Sequence, residues 1–251
     1  MKIGVQLHPQ ATTMKELRSA WTHADALGVD SLWTWDHFYP LYGDAEAAHF
    51  EGYSILAAMA ATTSHATVGA LVTCNSYRNP QLLADMARTL DHLSDGRFVL
   101  GIGSGWFERD YSEYGYEFGT APGRLRKLAD DLPVLKERLA KLNPAPIGPL
   151  PILIGGGGEK VTLRLVARHA QMWNGFGTAA ELKAKNAIID KWCAVEGTDP
   201  AAIERTTLQM AGPDAIDLDE LAEAGIHHVI LAMGAPFEMA GVEAVLKRAR
   251  G

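Results

Sequence analysis

Cysteine is scarce in this 251-residue chain, which contains only Cys74 and Cys193. The two lie far apart and form no cluster with the spacing of metal ligands, so neither a disulfide framework nor a metal site is expected. A chain of this length can bury a hydrophobic core without such cross-links. Both cysteines are therefore expected to be reduced thiols, as is usual in the cytoplasm.

Positive charge is also in short supply, because 23 lysines and arginines stand against 30 acidic residues, for a net charge of −7. Nucleic acids and anionic membranes bind basic surfaces, so neither is expected as the main partner. No apolar run approaches the roughly 18–20 residues of a membrane span. These absences favour a soluble cytoplasmic protein that acts on a small molecule and binds any anion at a local site.

The chain does contain a regular alternation of two kinds of segment. Apolar or β-branched runs predict strands at 2–7, 31–37, 66–74, 97–105, 151–157, 171–177, 206–210 and 227–233. Helical periodicity predicts helices at 14–27, 53–63, 79–93, 123–142, 159–170, 179–196, 218–224 and 237–249. Eight strand-helix units favour parallel strands joined by crossover helices.

The fold predicted from this alternation is a single (β/α)8 TIM barrel spanning residues 1–251. An open, doubly wound sheet is the alternative. The proline-rich stretch 143–151 is interpreted as a rigid crossing into the fifth strand rather than as a linker between domains.

In a (β/α)8 barrel the chemistry lies at the C-terminal ends of the strands, so the residues found there are informative. They are rich in glycine and aromatic side chains, at 8–10, 35–41, 73–80, 103–111, 155–160, 174–177, 211–214 and 233–236. Such a surface suits a flat aromatic ligand that carries a phosphate.

Four consecutive glycines, Gly155, Gly156, Gly157 and Gly158, end the fifth predicted strand and precede a helix. Their backbone N–H groups can converge on an anion, and the missing side chains let a phosphate approach closely. The stretch is not a Walker A loop, since Val161 follows Lys160 where that motif requires serine or threonine. A tight turn between strand and helix is the alternative interpretation.

A second glycine stretch contains Gly103 and Gly105. Trp106 occupies the position at which a dinucleotide-binding fingerprint needs its third glycine, so a Rossmann site is not predicted. The two glycines are compatible either with a closely packed ligand ring or with a plain turn at the end of a strand.

Asp36 and His37 end the second predicted strand, where one of them is expected to face the barrel mouth. Aspartate can accept a hydrogen bond from a ring N–H, and histidine can relay a proton near neutral pH. A helix cap and a hydrogen-bonded structural histidine are the alternative. The charged run 108–110 is either a solvated surface or a border of the substrate site, and His8 is interpreted as a loop residue.

Three stretches together carry a family resemblance: SLWTWDHFYP at 31–40, the run VGALVTCNSYRNP to ERDYSEYG at 68–115, and PILIGGGGEKVTLRLVARHAQMWNGFG at 151–177. In this order they resemble the bacterial luciferase-like superfamily, and within it the deazaflavin-dependent oxidoreductases. The resemblance runs nearly continuously over residues 2–177. It implies a barrel that binds coenzyme F420 or, in other branches, FMN across the C-terminal face.

The resemblance also implies roles for individual residues. Asp36 would contact the deazaflavin ring, and His37 would lie over its reactive edge as a catalytic proton donor or stabiliser. A bulge with a non-proline cis peptide is expected near Ala70 and Leu71, behind the ring. Further cofactor contacts are expected at Thr73 and Asn75, beside the ring, and at the glycine turn, where Gly156, Gly157 and Gly158 would hold the phosphate.

Two departures from the family pattern argue against oxidation of a sugar phosphate. The sugar-phosphate dehydrogenases of this family carry a tryptophan and a glutamate where this chain has Leu41 and Trp106. The insertion before the fifth strand is also shortened, which leaves a smaller lid. The function predicted is hydride transfer between F420 and a small organic substrate, with an FMN-dependent monooxygenase and a non-catalytic deazaflavin carrier as alternatives. The resemblance is compatible with a homodimer.

Overall fold

The computed structural model describes residues 1–210, 212 and 215–251. Of the loop 211–214, which the sequence places at the barrel mouth, only Gly212 is among the described residues. Those residues form nine parallel strands: β1 (Lys2–Leu7), β2 (Ser31–Thr34), β3 (Thr67–Ala70), β4 (Thr73–Cys74), β5 (Phe98–Gly103), β6 (Ile152–Gly155), β7 (Met172–Gly175), β8 (Glu204–Gln209) and β9 (His228–Met233).

Helices alternate with these strands along the chain. They are α1 (Met14–Leu27), α2 (Gly52–Thr62), α3 (Pro80–Leu93), α4 (Glu108–Tyr114), α5 (Ala121–Lys141), α6 (Thr162–His169), α7 (Ala179–Glu196), α8 (Leu218–Glu223) and α9 (Ala240–Arg250). Within the described residues no helix has the length and apolarity that a membrane span requires.

The sheet closes on itself, which confirms the predicted (β/α)8 barrel. β1 pairs with both β2 and β9, and the remaining strands follow in the order β8, β7, β6 and β5. Two short strands, β3 and β4, together occupy the third position of the barrel. β3 pairs with β2 and with the first part of β5, and β4 pairs with the last part of β5.

The break between β3 and β4 is a bulge that contains a non-proline cis peptide between Leu71 and Val72. The sequence placed this bond one residue earlier, near Ala70 and Leu71. The neighbouring strand is built around the bulge, since a Cβ atom on Gly101 would lie 1.9 Å from the carbonyl oxygen of Ala70. Glycine in β5 is therefore required by the close approach of the bulge.

Two hydrophobic layers hold the barrel together. Inside it, a compact cluster fills the space between the strands and comprises Trp33, Leu71, Val99, Leu153, Met172, Leu208 and Ile230. A larger cluster packs the outer faces of the strands against the helices. Because the interior is filled, a pocket within the barrel can form only at the ends of the strands.

Candidate active site

A pocket of about 380 Å³ opens at the C-terminal ends of the strands. His37 lines it together with Gly155 and Gly156, so the residues that follow β2 and the glycine turn that follows β6 share one cavity. Leu71, Val72 and Thr73 of the bulge line the same cavity, as do Gly103 and Gly105. The chain thus brings together in one mouth most of the strand ends that the sequence selected.

His37 is held by Asp110, whose Oδ2 lies 2.7 Å from Nδ1 of the imidazole. The carboxylate of Asp110 is fully buried and accepts three further hydrogen bonds, from the Tyr77 hydroxyl at 2.9 Å and from the backbone N–H groups of Phe38 and Tyr39 at 3.1 Å each. A carboxylate surrounded by four donors takes the Nδ1 proton as an acceptor. His37 therefore presents Nε2 as its free nitrogen.

Asp110 is a site residue that sequence reasoning did not single out. The sequence groups it with Glu108 and Arg109 as a charged run, but the three side chains lie in different environments. Glu108 is exposed, and Arg109 lies over the ring of Tyr39 at 3.9 Å. Asp110 turns inward because it lies on the buried side of α4, a helix that the sequence did not predict.

Asp36 is also buried, but its carboxylate lies behind the pocket wall rather than in the pocket lining. It accepts two hydrogen bonds from Arg78, at 2.7 and 3.0 Å, and one from the backbone N–H of Cys74 at 3.0 Å. Arg78 in turn lies over the ring of Tyr53 at 4.0 Å and contacts Glu51. Asp36 thereby ties β2 to β4, just after the bulge.

Some of the other predicted site residues line the pocket, and others lie behind its lining. Thr73 faces the pocket and hydrogen-bonds the Tyr53 hydroxyl at 2.8 Å. Asn75 lies outside the lining and donates to Asp131 at 2.8 Å, and Ala70 is buried beneath the bulge. Cys74 lines the pocket, and burial raises the pKa of its thiol, so the nucleophilic thiolate is disfavoured.

The glycines of β5 and β6 make room for the bulge. A Cβ atom on Gly103 would lie 2.8 Å from Val72 Cγ2, and one on Gly155 would lie 2.9 Å from Val72 Cγ1. Gly105 has φ +79, and a Cβ there would meet the Tyr111 hydroxyl at 2.0 Å. Packing within the protein thus accounts for these three positions.

The second half of the glycine turn is different. Gly157 and Gly158 are exposed, and their backbone N–H groups have no acceptor among the described residues. Around Gly157 the space is open, since a Cβ would find only Lys185 Cε, at 3.8 Å. Lys185 is paired with Glu159 at 2.6 Å. Free amides next to a cation are the arrangement that binds an anionic group.

The pocket lining is mainly apolar. Among the described lining residues none is lysine, arginine, aspartate or glutamate. Three large apolar side chains at its mouth, Trp106, Phe176 and Met210, are each at least 60% exposed. Over the described ranges, no group of three or more histidine, cysteine or acidic side chains is arranged to bind a metal ion.

The family model described as luciferase-like monooxygenase matches residues 1–231. Two curated relatives are named F420-dependent glucose-6-phosphate dehydrogenase. The one from Amycolatopsis mediterranei is 26% identical over 178 residues, covering 64% of this chain and 53% of the relative. The one from Intrasporangium calvum is 29% identical over 189 residues, covering 68% and 55%. The chain spans about half the length of these relatives.

Solved structures show the same fold at low sequence identity. An F420-dependent secondary alcohol dehydrogenase in complex with an F420-acetone adduct superposes with a TM-score of 0.85 at 16% identity, covering 98% of this chain and 97% of that one. The F420-dependent tetrahydromethanopterin reductase from Methanopyrus kandleri gives 0.76 at 15% identity, with 97% of each chain covered. The chain belongs to the luciferase-like monooxygenase family.

Proposed function

We propose that the protein is an oxidoreductase that uses coenzyme F420 to transfer a hydride to or from an uncharged alcohol or ketone. One observation carries the proposal: His37, oriented by Asp110, lines the same cavity as the glycine turn. The names of the curated relatives and of the two superposed structures favour F420 as the cofactor.

The residues present fit this cofactor. A deazaflavin ring is flat and aromatic, and the cavity provides an apolar slot for its faces along Leu71, Val72 and Gly103. The tail of F420 is anionic, and the free amides of Gly157 and Gly158 with Lys185 nearby suit a phosphate. F420, when bound, supplies a carbon centre that accepts or donates a hydride in a single two-electron step.

The protein's own side chains transfer the proton and orient the group that transfers it. When the C–H bond of a carbinol breaks, its hydroxyl proton passes to Nε2 of His37, and in the opposite direction His37 returns that proton to the carbonyl oxygen. Asp110 keeps the imidazole in one tautomer and stabilises it when it is protonated. The aromatic side chains of Trp35 and Trp106 pack edge-on against the imidazole, with ring centroids 6.2 and 5.8 Å from that of His37.

A sugar phosphate fits this pocket poorly. Cationic side chains favour the binding of a phosphorylated substrate, and none of the described lining residues is lysine or arginine. Leu41 lines the pocket with Trp106, at the two positions where the sequence departs from the sugar-phosphate dehydrogenases. An uncharged substrate is therefore favoured.

Cofactor titration of the purified protein tests the proposal. F420 is expected to bind more tightly than FMN, and the visible absorbance band of oxidised F420 is expected to fall when an uncharged secondary alcohol is added. Preferential FMN binding with oxygen consumption would instead indicate a monooxygenase. F420 binding without turnover of any alcohol or ketone would indicate a carrier.

A further inference from the structure

A chain of hydrogen bonds runs along the pocket wall opposite the glycine turn. It links the carbonyl oxygen of Leu71, the Gln6 amide, the His8 imidazole and the Tyr42 hydroxyl. Gln6 Nε2 donates to Leu71 O at 2.7 Å, and Gln6 Oε1 lies 3.2 Å from His8 Nε2. His8 Nδ1 is hydrogen-bonded to the Tyr42 hydroxyl.

The first of these bonds sets the direction of all the others. A carbonyl oxygen accepts only, so the NH2 end of the Gln6 amide must face Leu71 and its oxygen must face His8. That oxygen requires a donor, which places the imidazole proton of His8 on Nε2 and leaves Nδ1 as an acceptor. Tyr42 must then donate its only proton to His8.

The imidazole is held in this state by its surroundings. His8 stacks on Trp35 with ring centroids 4.3 Å apart, and Trp35 donates its indole N–H to His49 Nε2 at 2.9 Å. Burial lowers the pKa of His8 to about 4, so the ring remains neutral and keeps Nδ1 as an acceptor near pH 7. His8 and Tyr42 pack against Gly234, where a Cβ atom would lie 3.4 Å from the Tyr42 hydroxyl oxygen.

With its proton committed to His8, the Tyr42 oxygen retains acceptor capacity. None of the described residues donates to it, and Tyr42, His8 and Gln6 all line the pocket. The rest of the cavity offers apolar surface and no lysine, arginine, aspartate or glutamate among its described residues. A ligand that pairs with this oxygen must supply a hydrogen-bond donor on an otherwise uncharged, mainly apolar body.

We propose that Tyr42, oriented through His8 and Gln6, is a specificity-determining acceptor that selects uncharged apolar substrates bearing a hydroxyl or N–H group in addition to the reacting alcohol or ketone. This assignment rests on the proposed function for the identity of the reacting group. The acceptor role itself follows from the fixed direction of the hydrogen-bond chain.

Binding of matched ketones to the F420-loaded protein tests the assignment. The probes are cyclohexanone, its 2-, 3- and 4-hydroxy derivatives that also carry a methyl group on the hydroxyl-bearing carbon, and the corresponding methoxy derivatives. They are titrated by calorimetry with the cofactor oxidised, and no turnover occurs because a tertiary alcohol has no carbinol hydrogen to give up as hydride. At least one hydroxyketone is expected to bind about three- to tenfold more tightly than cyclohexanone. The methoxyketones, which accept but cannot donate, are expected to gain nothing.

Tyr42→Phe is expected to abolish the preference for the hydroxyketone over cyclohexanone. Tyr114→Phe removes a hydroxyl from a tyrosine that is 55% exposed and outside the pocket lining, and serves as the control. A preference for the methoxyketone, the absence of any hydroxyketone preference, or a preference that survives in Tyr42→Phe would each overturn the assignment.

The two proposals fail in different ways. If F420 does not bind, or binds without turnover, the proposed function fails, and the same titrations on the cofactor-free protein still report on Tyr42. If hydride transfer occurs but the hydroxyketone is not favoured, only the role of Tyr42 is lost.

Discussion

Nδ1 of His37 lies 2.7 Å from Oδ2 of Asp110, although 73 positions separate the two residues in the chain. The barrel brings them together because β2 and β5 end at the same face and α4 begins just after β5. The buried carboxylate fixes the tautomer of the histidine that faces the pocket. Chemistry at His37 should therefore depend on Asp110.

Asp110→Asn tests that dependence. An amide offers a donor as well as an acceptor, so the Nδ1-protonated tautomer of His37 loses its preference. We expect turnover of a ketone to fall by about a hundredfold or more, and 15N chemical shifts of the imidazole to report a change of tautomer. Tyr77→Phe is the control, because it removes one donor to Asp110 and keeps the carboxylate. Unchanged turnover in Asp110→Asn would contradict the assigned role.

Gly157 supports a second prediction, on cofactor binding. Gly157→Asp places a carboxylate where the anionic tail is proposed to bind, and repulsion between like charges should lower cofactor affinity by about a hundredfold or more. Gly157→Ala is the matched control, since its Cβ has open space and only Lys185 Cε within 4 Å. Fluorescence titration with F420 measures both. Equal affinity in the two variants would remove the phosphate assignment, and unchanged thermal unfolding would show that the fold is intact.

Periodicity and capping made most of the fold predictable. Helices α1 and α7 have the predicted ends because each begins with a threonine capping box, at Thr13 and Thr178, and ends at a left-handed glycine, at Gly28 and Gly197. α6 begins at Thr162, three residues later than predicted, because the exposed glycine turn precedes it without a side-chain cap. α4 was missed since seven residues give too short a periodic pattern.

The site was less predictable, because its partnerships are long-range. Strand-end position was enough to select His37, and the family resemblance anticipated the bulge. Nothing local to Asp110 or Arg78 indicates that each binds a buried partner from another strand end. Packing around Val72 similarly explains two glycines that the sequence left open: Gly103, attributed to a ligand ring or a turn, and Gly155, attributed to an anion site or a turn.

The contact between Arg78 and Asp36 supports a third prediction, on stability. Arg78→Met leaves the carboxylate of Asp36, which is 1% exposed, without its main partner. We expect the free energy of unfolding, measured with urea, to fall by about 3–5 kcal/mol. Adding Asp36→Asn should recover part of the loss, because it removes the uncompensated charge.

Lys141→Met is the control for Arg78→Met. Lys141 pairs with Glu137 on the surface, where both side chains are more than 60% exposed. Such a pair contributes less than about 1 kcal/mol. Equal losses of unfolding free energy in Arg78→Met and Lys141→Met would show that the buried contact stabilises the fold no more than the surface pair does.

Glu204, at the opposite end of the barrel from the pocket, supports a prediction on pH. Burial alone would raise the pKa of this carboxyl, but hydrogen bonds from His228 at 3.0 Å and Lys2 at 2.8 Å outweigh burial and lower it to about 2. Because the pKa in the folded protein lies below the ordinary value, the stabilisation is present above about pH 4.5 and is lost as the pH falls toward 2.

Glu204→Gln removes this dependence. Between pH 5 and pH 2 the wild-type protein should lose on the order of 3 kcal/mol more free energy of unfolding than the variant does, as measured by urea denaturation at a series of pH values. Glu108→Gln changes an exposed glutamate that has no such partners among the described residues, and should follow the wild-type profile. Parallel profiles for wild type and Glu204→Gln would mean that the hydrogen bonds from His228 and Lys2 do not stabilise the charged carboxylate.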